Sequence, residues 1–398
     1  MSLLDRMWVS KIEISGLAGS EKDIIYDLDT DVNIFFGANG SGKTSLLKIL
    51  NAAATNTTVN IVDVPFRSAK VIIQYYDNFV LERSIENKAF IQKTEQPISG
   101  TAPISNLLSS PQVTPAEELN WQSVMFEKTK KGMKQYRPEV EANYLMDHQY
   151  LPTSRLYLGL EQENPWEKRQ LTEQELEQNF AQRITNLWRD YNYDLSKTKA
   201  KIQEQGLASI MKDMWSSVDQ KVAQSELDLE RTFERVNMFF KRQKIEGILK
   251  SFEDFKSQIN RQPYLMKIIK DINSVEESIE EAMIPKTELS DMITKLYGEK
   301  LKLGFDEKKI TVKTRDNREI ALGTLSSGQK QLLMIFLSTL IAKDKAILID
   351  EPEISMHVDW QSELVRDMHQ LSPSVQILIA THSPEISASV NDDKLFLL

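Results

Sequence analysis

Three kinds of hydrophobic spacing follow one another along the chain, and each predicts a different element. Short unbroken apolar runs at residues 32–36 (VNIFF), 346–351 (AILIDE) and 375–380 (VQILIA) read as buried strands. Looser β-rich runs at 8–16, 70–76 and 79–86 read as further strands, the last two joined around Asp77-Asn78 as an antiparallel hairpin. Residues 309–314 and 319–322 flank Asp316-Asn317 as a second hairpin, and 146–159 reads as a strand entering an ordered loop at Pro152.

From 171 to 297 the period becomes helical. One stripe runs through Leu176, Phe180, Ile184, Leu187 and Tyr191, and another from Leu207 through Met211, Leu229, Phe233 and Val236 to Phe240. Gly206 lies between the stripes and Pro263 closes the second, which predicts two antiparallel helices joined by a tight turn at Gly206. The second helix would reach roughly 80 Å at ~1.5 Å per residue, with Gly247 as its weak point. Such stripes are packing surface, so the expected role is mechanical. Residues 96–115 are rich in Ser, Thr and Pro without a period and read as a surface loop. No repeat of solenoid length is visible. The expected organisation is an α/β head in two pieces, 1–160 and 301–398, with a helical insertion or arm over 161–300.

Composition narrows the classes. The chain has 398 residues, 41% of them apolar, which is ample for a core and excludes wholesale disorder. The absence of cysteine removes disulfides, thiolate metal sites and thiol nucleophiles. A formal charge of −9 argues against a generally basic nucleic-acid-coating surface, without excluding a local basic groove. The run Lys128, Lys130, Lys131, Lys134, Tyr136 and Arg137 is either such a contact or a solvated edge. The first residues lack the apolar core of a signal peptide, and no segment is long enough to cross a bilayer, so a cytoplasmic protein without a membrane partner is expected.

The chemistry begins where the first buried strand ends. Gly37 to Thr44 reads GANGSGKT and opens a helix with Leu46, Leu47, Ile49 and Leu50 as apolar positions, the strand, glycine loop and helix of a P-loop. Its backbone N–H groups and the helix N-terminus bind phosphate oxygens, so Asn39, Gly40, Ser41, Gly42, Lys43, Thr44 and Ser45 are the candidate nucleotide-binding set. Lys43 would reach the β and γ phosphates and Thr44 would offer its hydroxyl to Mg²⁺. A second helix start, Ser326, Ser327, Gly328 and Gln329, is a phosphate-seeking surface or, taken alone, an ordinary N-cap. Asp350, ending the strand AILID, is placed on Mg²⁺ or its waters, and Glu351 beside it can polarise an attacking water. Thr381 and His382 follow the 375–380 strand at the carboxyl edge where ligands of parallel sheets bind. Gln149 or Arg155 either enters the same site or belongs to a strand-end turn.

GANGSGKT, LSSGQ, ILIDEPE with SMH, and THSP together resemble the Walker A, signature, Walker B with D-loop, and switch-histidine motifs of ABC-type P-loop ATPases. The DEPE and THSPE spellings are most similar to the non-transporter, SMC-like branch. That branch holds OLD-family proteins, RecF-like repair ATPases and the ATPase subunits of the Septu and PARIS antiviral systems. The resemblance covers both ends of the chain and implies an ABC-type head with an antiparallel β subdomain and an inserted helical, coiled-coil-like arm. It implies a homodimer, or a higher homo-oligomer, with ATP and Mg²⁺ sandwiched so that Ser326 and Gly328 of one copy meet the γ-phosphate held by Lys43 of the other. Glu351 would then be the catalytic base, His382 the γ-phosphate sensor, and Gln149 the glutamine-loop candidate near the metal. Three departures stand out: Ser327 replaces the usual signature glycine, His357 the usual D-loop aspartate, and the glutamine-loop residue is not evident.

The long separation between Thr44 and Leu325, with no membrane segment, argues against a transporter subunit, and the lack of cysteine against a zinc-hook repair ATPase. With the chain ending soon after His382, a motor or sensor without its own nuclease domain is expected. The leading expectation is a slow, regulatory ATPase that senses, holds or releases a separate nuclease or toxin, with phage supplying the trigger. The alternatives are a RecF-like DNA-repair or DNA-maintenance ATPase, which would bind DNA, and a stand-alone ATPase.

Overall fold

A computed structural model of the chain describes residues 6–75, 78–88, 90–91, 119–129, 132–136, 145–154, 172–215, 229–242, 251–261, 263–298 and 301–398. The strands are β1 (Met7–Ser15), β2 (Ile24–Asp27), β3 (Val32–Phe36), β4 (Ser68–Tyr75), β5 (Phe79–Glu86), β6 (Gln122–Thr129), β7 (Gly132–Tyr136) and β8 (His148–Leu151), followed by β9 (Leu301–Phe305), β10 (Ile310–Thr314), β11 (Glu319–Ile320), β12 (Ala346–Asp350), β13 (Gln376–Thr381) and β14 (Leu395–Leu397). The helices are α1 (Lys43–Thr55), α2 (Glu173–Trp215), α3 (Leu229–Arg242), α4 (Phe252–Arg261), α5 (Pro263–Tyr297), α6 (Ser327–Ala342), α7 (Val358–Leu371) and the short α8 (Pro384–Ser387).

Two compact units result: one of Met1–Leu187, Met292–Gly304 and Ile310–Leu398, the other of Trp188–Asp291 and Phe305–Lys309. In the first, the three apolar runs become adjacent strands of a parallel sheet, ordered β14-β3-β13-β12-β8. Burial on both faces explains why these runs do not alternate. The register sets Thr381 beside Phe36 and Asp350 beside Ala380, so three strands end at one edge. A six-stranded antiparallel sheet, β2-β1-β4-β5-β6-β7, lies in the same unit and contains the hairpin read from the sequence. The fold is therefore an α/β P-loop head with an antiparallel β subdomain and a long helical insertion in its sequence.

Buried polar groups tie these layers together. Gln376 on β13 accepts from Val9 N at 2.9 Å and donates to the carbonyls of Val9 at 2.8 Å and Asp29 at 2.7 Å, joining the two sheets. The buried Arg83 guanidinium donates to the Ala53 and Ala54 carbonyls at the end of α1, the favourable place for a cation. Burial lowers its pKa to about 10. His148 bridges β8 to α1, with Nε2 2.8 Å from Asn51 Oδ1 and Nδ1 2.9 Å from the Met146 carbonyl, and burial lowers its pKa from the ordinary value.

The helical unit corrects one expectation. There is no turn at Gly206, because α2 runs as one helix from Glu173 to Trp215. A Cβ there would come within 2.1 Å of Val275 Cγ2, so this glycine admits a close helix–helix approach instead of ending a helix. The second stripe is likewise split, since α3, α4 and α5 are separate helices. Ile210, Val236, Phe255, Ile259, Ile269 and Ile272 form their shared core. Arg235 is buried beside it and held by Glu277 at 2.5 Å, Glu280 at 2.8 Å and Asn273 at 3.0 Å. The loop at 96–115, Gly247, Arg155, Lys130, Lys131 and Arg137 lie outside the described residues.

Candidate nucleotide site

The loop between β3 and α1 has the curvature that its glycines permit. Gly40 and Gly42 adopt φ of 86° and 99°, left-handed values that side chains disfavour. Gly37 is packed so tightly that a Cβ would meet Ser41 Oγ at 2.6 Å and the Leu398 carbonyl at 2.9 Å. Lys43 is buried and donates from Nζ to the Gly37 and Ala38 carbonyls, both at 2.9 Å. Asn39 and Gly40 are exposed, while Ser41, Thr44 and Ser45 are half-buried. Ser41 Oγ is itself buried and has no protein hydrogen-bond partner. Such an orphaned hydroxyl, beside a lysine folded onto its own loop and the free N–H groups of a helix start, fits a phosphate.

Asp350 closes the wall opposite that loop. It is 0% exposed, and its carboxylate accepts from Thr44 Oγ1 at 2.9 and 3.1 Å and from Thr153 Oγ1 at 2.5 Å. Thr153 was not singled out in the sequence; it enters from the turn after β8, the strand next to β12. Gln149 lies on β8 with Ile347 as its register partner, three positions before Asp350, and Thr153 is a residue that reaches the carboxylate. Tyr150 is nearby, its hydroxyl buried without a protein partner, and burial together with the Asp350 charge raises its pKa.

Past Asp350 the backbone turns sharply. Glu351 adopts φ of 48°, a left-handed value for a non-glycine residue, with its N–H donated to the Ala380 carbonyl at 2.8 Å. This strained position sets Glu351 beside the end of β13, where His382 Nδ1 is 3.9 Å from Glu351 Oε1. Glu353, which the sequence showed only as a letter of DEPE, holds that corner. Its Oε1 accepts from Thr381 Oγ1 and His382 N, both at 2.7 Å, and lies 3.0 Å from His382 Nδ1. Ser383 donates to Gln361 Oε1 at 2.7 Å and accepts from Ile386 N, anchoring the residue after the histidine.

Ser326 caps α6 through a reciprocal box. Its Oγ accepts from Gln329 N at 3.3 Å, and its own N–H donates to Gln329 Oε1 at 3.0 Å. Ser326 and Ser327 are exposed, and Gly328 is buried because a Cβ would sit 2.4 Å from the Ser355 carbonyl. Gln331 Nε2 donates to the Pro352 carbonyl at 2.6 Å, so α6 is fastened to the segment that carries Glu351 and Glu353. His357, the D-loop departure, caps α7 with Nδ1 3.4 Å from Asp359 N and is exposed.

The donor set also bears on a metal. Among the described residues no group of three or more His, Asp or Glu is arranged to hold an ion. Mg²⁺ commonly takes one or two protein oxygens and fills the rest with water and substrate phosphates, which is what the Thr44–Asp350 pair offers.

The model of the AAA ATPase domain family matches residues 7–387 of the chain. Over 156 residues the chain is 30% identical to Endonuclease GajA of Bacillus cereus (strain VD045), covering 38% of this chain and 26% of that protein. It is 24% identical over 97 residues to the Retron Vc95 probable ATPase of Vibrio cholerae serotype O1 biovar El Tor, covering 21% of this chain and 19% of the other. The matches thus span about a quarter or less of these relatives. Among solved structures, an Smc head domain with an extended coiled coil from Pyrococcus furiosus aligns over 96% of this chain and 92% of that one, with 13% identity and a TM-score of 0.41.

Proposed function

The chain belongs to the AAA ATPase domain family, and on that premise we propose that it is an ATP-binding and ATP-hydrolysing regulator that pairs through the nucleotide and controls a separate nuclease or toxin in defence against phage. One observation carries the reading. Lys43, Thr44 and Asp350 share one enclosed corner, whereas the serines that open α6 are exposed and engaged only locally in a cap. A triphosphate in the first corner would still need donors on its other side. A second copy, presenting Ser326, Ser327, Gly328 and Gln329, would supply them.

Bound with Mg²⁺, ATP supplies the phosphoanhydride and the metal offsets its charge. Thr44 and Asp350 would hold the metal, and Thr153 would orient the Asp350 carboxylate. Lys43 would exchange its two carbonyl partners for phosphate oxygens. Glu351 would take the proton of the attacking water, and His382 would meet the γ-phosphate. Loss of that phosphate would loosen the pair, giving a slow two-state output. Similarity to a protein named an endonuclease and to retron ATPases supports the defence setting.

The test is expression beside the genomic neighbour in a phage-sensitive host. The reading expects one stable complex and protection that Lys43→Ala abolishes. Purification of this chain alone, with phage sensitivity unchanged, contradicts it. ATP-dependent DNA binding that weakens with salt would favour the repair or maintenance reading instead.

A further inference from the structure

Two hydrogen bonds pin α1 to the parallel sheet, and Tyr150 stands between them. At the helix start, Thr44 Oγ1 donates to Asp350 on β12 at 2.9 Å. About two turns later, Asn51 Oδ1 lies 2.8 Å from His148 Nε2 on β8. Tyr150 follows His148 by two positions on β8 and so shares its face of the sheet. Its register partner is Leu348, which precedes Asp350 by two and lies on that same face. The Tyr150 ring accordingly packs on the core that Leu46 and Leu47 of α1 form with Leu348.

That packing accounts for the ring and leaves the hydroxyl without a task. The hydroxyl oxygen is buried, with no hydrogen-bond partner among the described residues. Phenylalanine would fill the same space without the cost of desolvating a polar group. Burial, and after it the charge of Asp350, raise the pKa of Tyr150, so the hydroxyl keeps its proton and feels the carboxylate that closes the site. Asp350 itself is already engaged by the Thr44 and Thr153 hydroxyls. Mg²⁺ sheds its water reluctantly and would bring several molecules into this corner. A metal-bound water is a stronger donor than bulk water, and the Tyr150 oxygen is an acceptor held in place by its packed ring.

We propose that Tyr150 is a positioning residue of the metal site: its hydroxyl hydrogen-bonds a water of the divalent cation held by Thr44 and Asp350, and so sets how far that cation tightens nucleotide binding. The proposal rests on the ATP reading above and adds a residue to it. In the free protein the hydroxyl costs stability, whereas with nucleotide and metal bound it is satisfied. The two states therefore respond to its removal with opposite sign.

The test measures binding of a nonhydrolysable ATP analogue to the full chain by calorimetry, once with Mg²⁺ and once with EDTA, in wild type and Tyr150→Phe. The variant is expected to lose about tenfold of the affinity that Mg²⁺ confers, while its affinity in EDTA matches wild type. Without ligand, its melting temperature is expected to equal or exceed that of wild type. An equal gain from Mg²⁺ in both proteins overturns the proposal. So does an equal loss with and without the metal, which a packing defect would produce. A lower melting temperature in the ligand-free variant overturns its premise, since the hydroxyl would then be held by the protein. No binding by wild type in either condition overturns the ATP reading itself, and is told apart because every other outcome requires a wild type that binds.

Discussion

Asp350 and Ser326 face opposite circumstances. Asp350 is wholly buried and takes hydroxyls from Thr44 and Thr153, which come from different elements far apart in sequence. Ser326 is exposed, and its side chain bonds the backbone only three residues on. The first corner is organised before any ligand arrives, and moving Thr44 or Thr153 takes a hydroxyl donor away from a wholly buried carboxylate. The second is rigid as a helix start but open as a surface, so a new partner disturbs nothing buried. A pre-set half and an open half are what a site shared between two copies requires.

The comparison can be broken from the closed side first. At the proposed general base, Glu351→Gln should cut ATP turnover by about 10²- to 10⁴-fold while ATP binding persists, as steady-state hydrolysis and filter binding would show. Near-normal hydrolysis would remove Glu351 from the base role. Lys43→Ala should weaken ATP binding by roughly 100-fold, the loss of a strong charge-assisted contact, measurable by calorimetry. Thr153→Val should lower kcat by roughly tenfold, the worth of one buried hydrogen bond to a charged group, whereas Gln149→Ala should leave it unchanged. If the two variants behave alike, Thr153 has no special hold on Asp350.

Stability sharpens the contrast from the scaffold side. Gly206→Ala should destabilise the helical unit by about 1–3 kcal/mol in urea, because crowding against Val275 outweighs the helix propensity gained. His148 gives a smaller, pH-dependent effect. Burial depresses its folded pKa, so the unfolded chain binds the proton first as pH falls below about 6.5. Its stabilising contribution is thus full above that pH and lost below it. Melting temperature should drop between pH 7.5 and 5.5, less steeply in His148→Gln.

What the sequence disclosed and what it hid divide along the same line. GANGSGKT, AILIDE and THSP are contiguous, and each announces a strand end with its chemistry, so Lys43, Thr44, Asp350, Glu351 and His382 could be named before any fold was known. Thr153 and Glu353 could not be given tasks. Thr153 meets Asp350 across 197 positions of chain, a pairing that only the β8–β12 register creates. Glu353 sits in a motif but acts by reaching a different strand end. Gly206 misled because a glycine in a helical pattern signals a break or a close approach equally well. Only the opposing Val275 decides between them. The edge strands β2 and β14 are short and carry little periodicity, and they escaped notice for that reason.

The claim that each nucleotide is enclosed by two copies is tested most directly by mixing two inactive variants. Lys43→Ala removes the closed half, and Ser326→Arg blocks the open half. In a mixed dimer, one site pairs the intact Lys43 of one copy with the intact Ser326 of the other. The account predicts that each variant alone hydrolyses almost no ATP and that the mixture regains a clear part of wild-type activity, with a dimer in light scattering. Two folded, inactive variants that stay monomeric and inactive when mixed would contradict it.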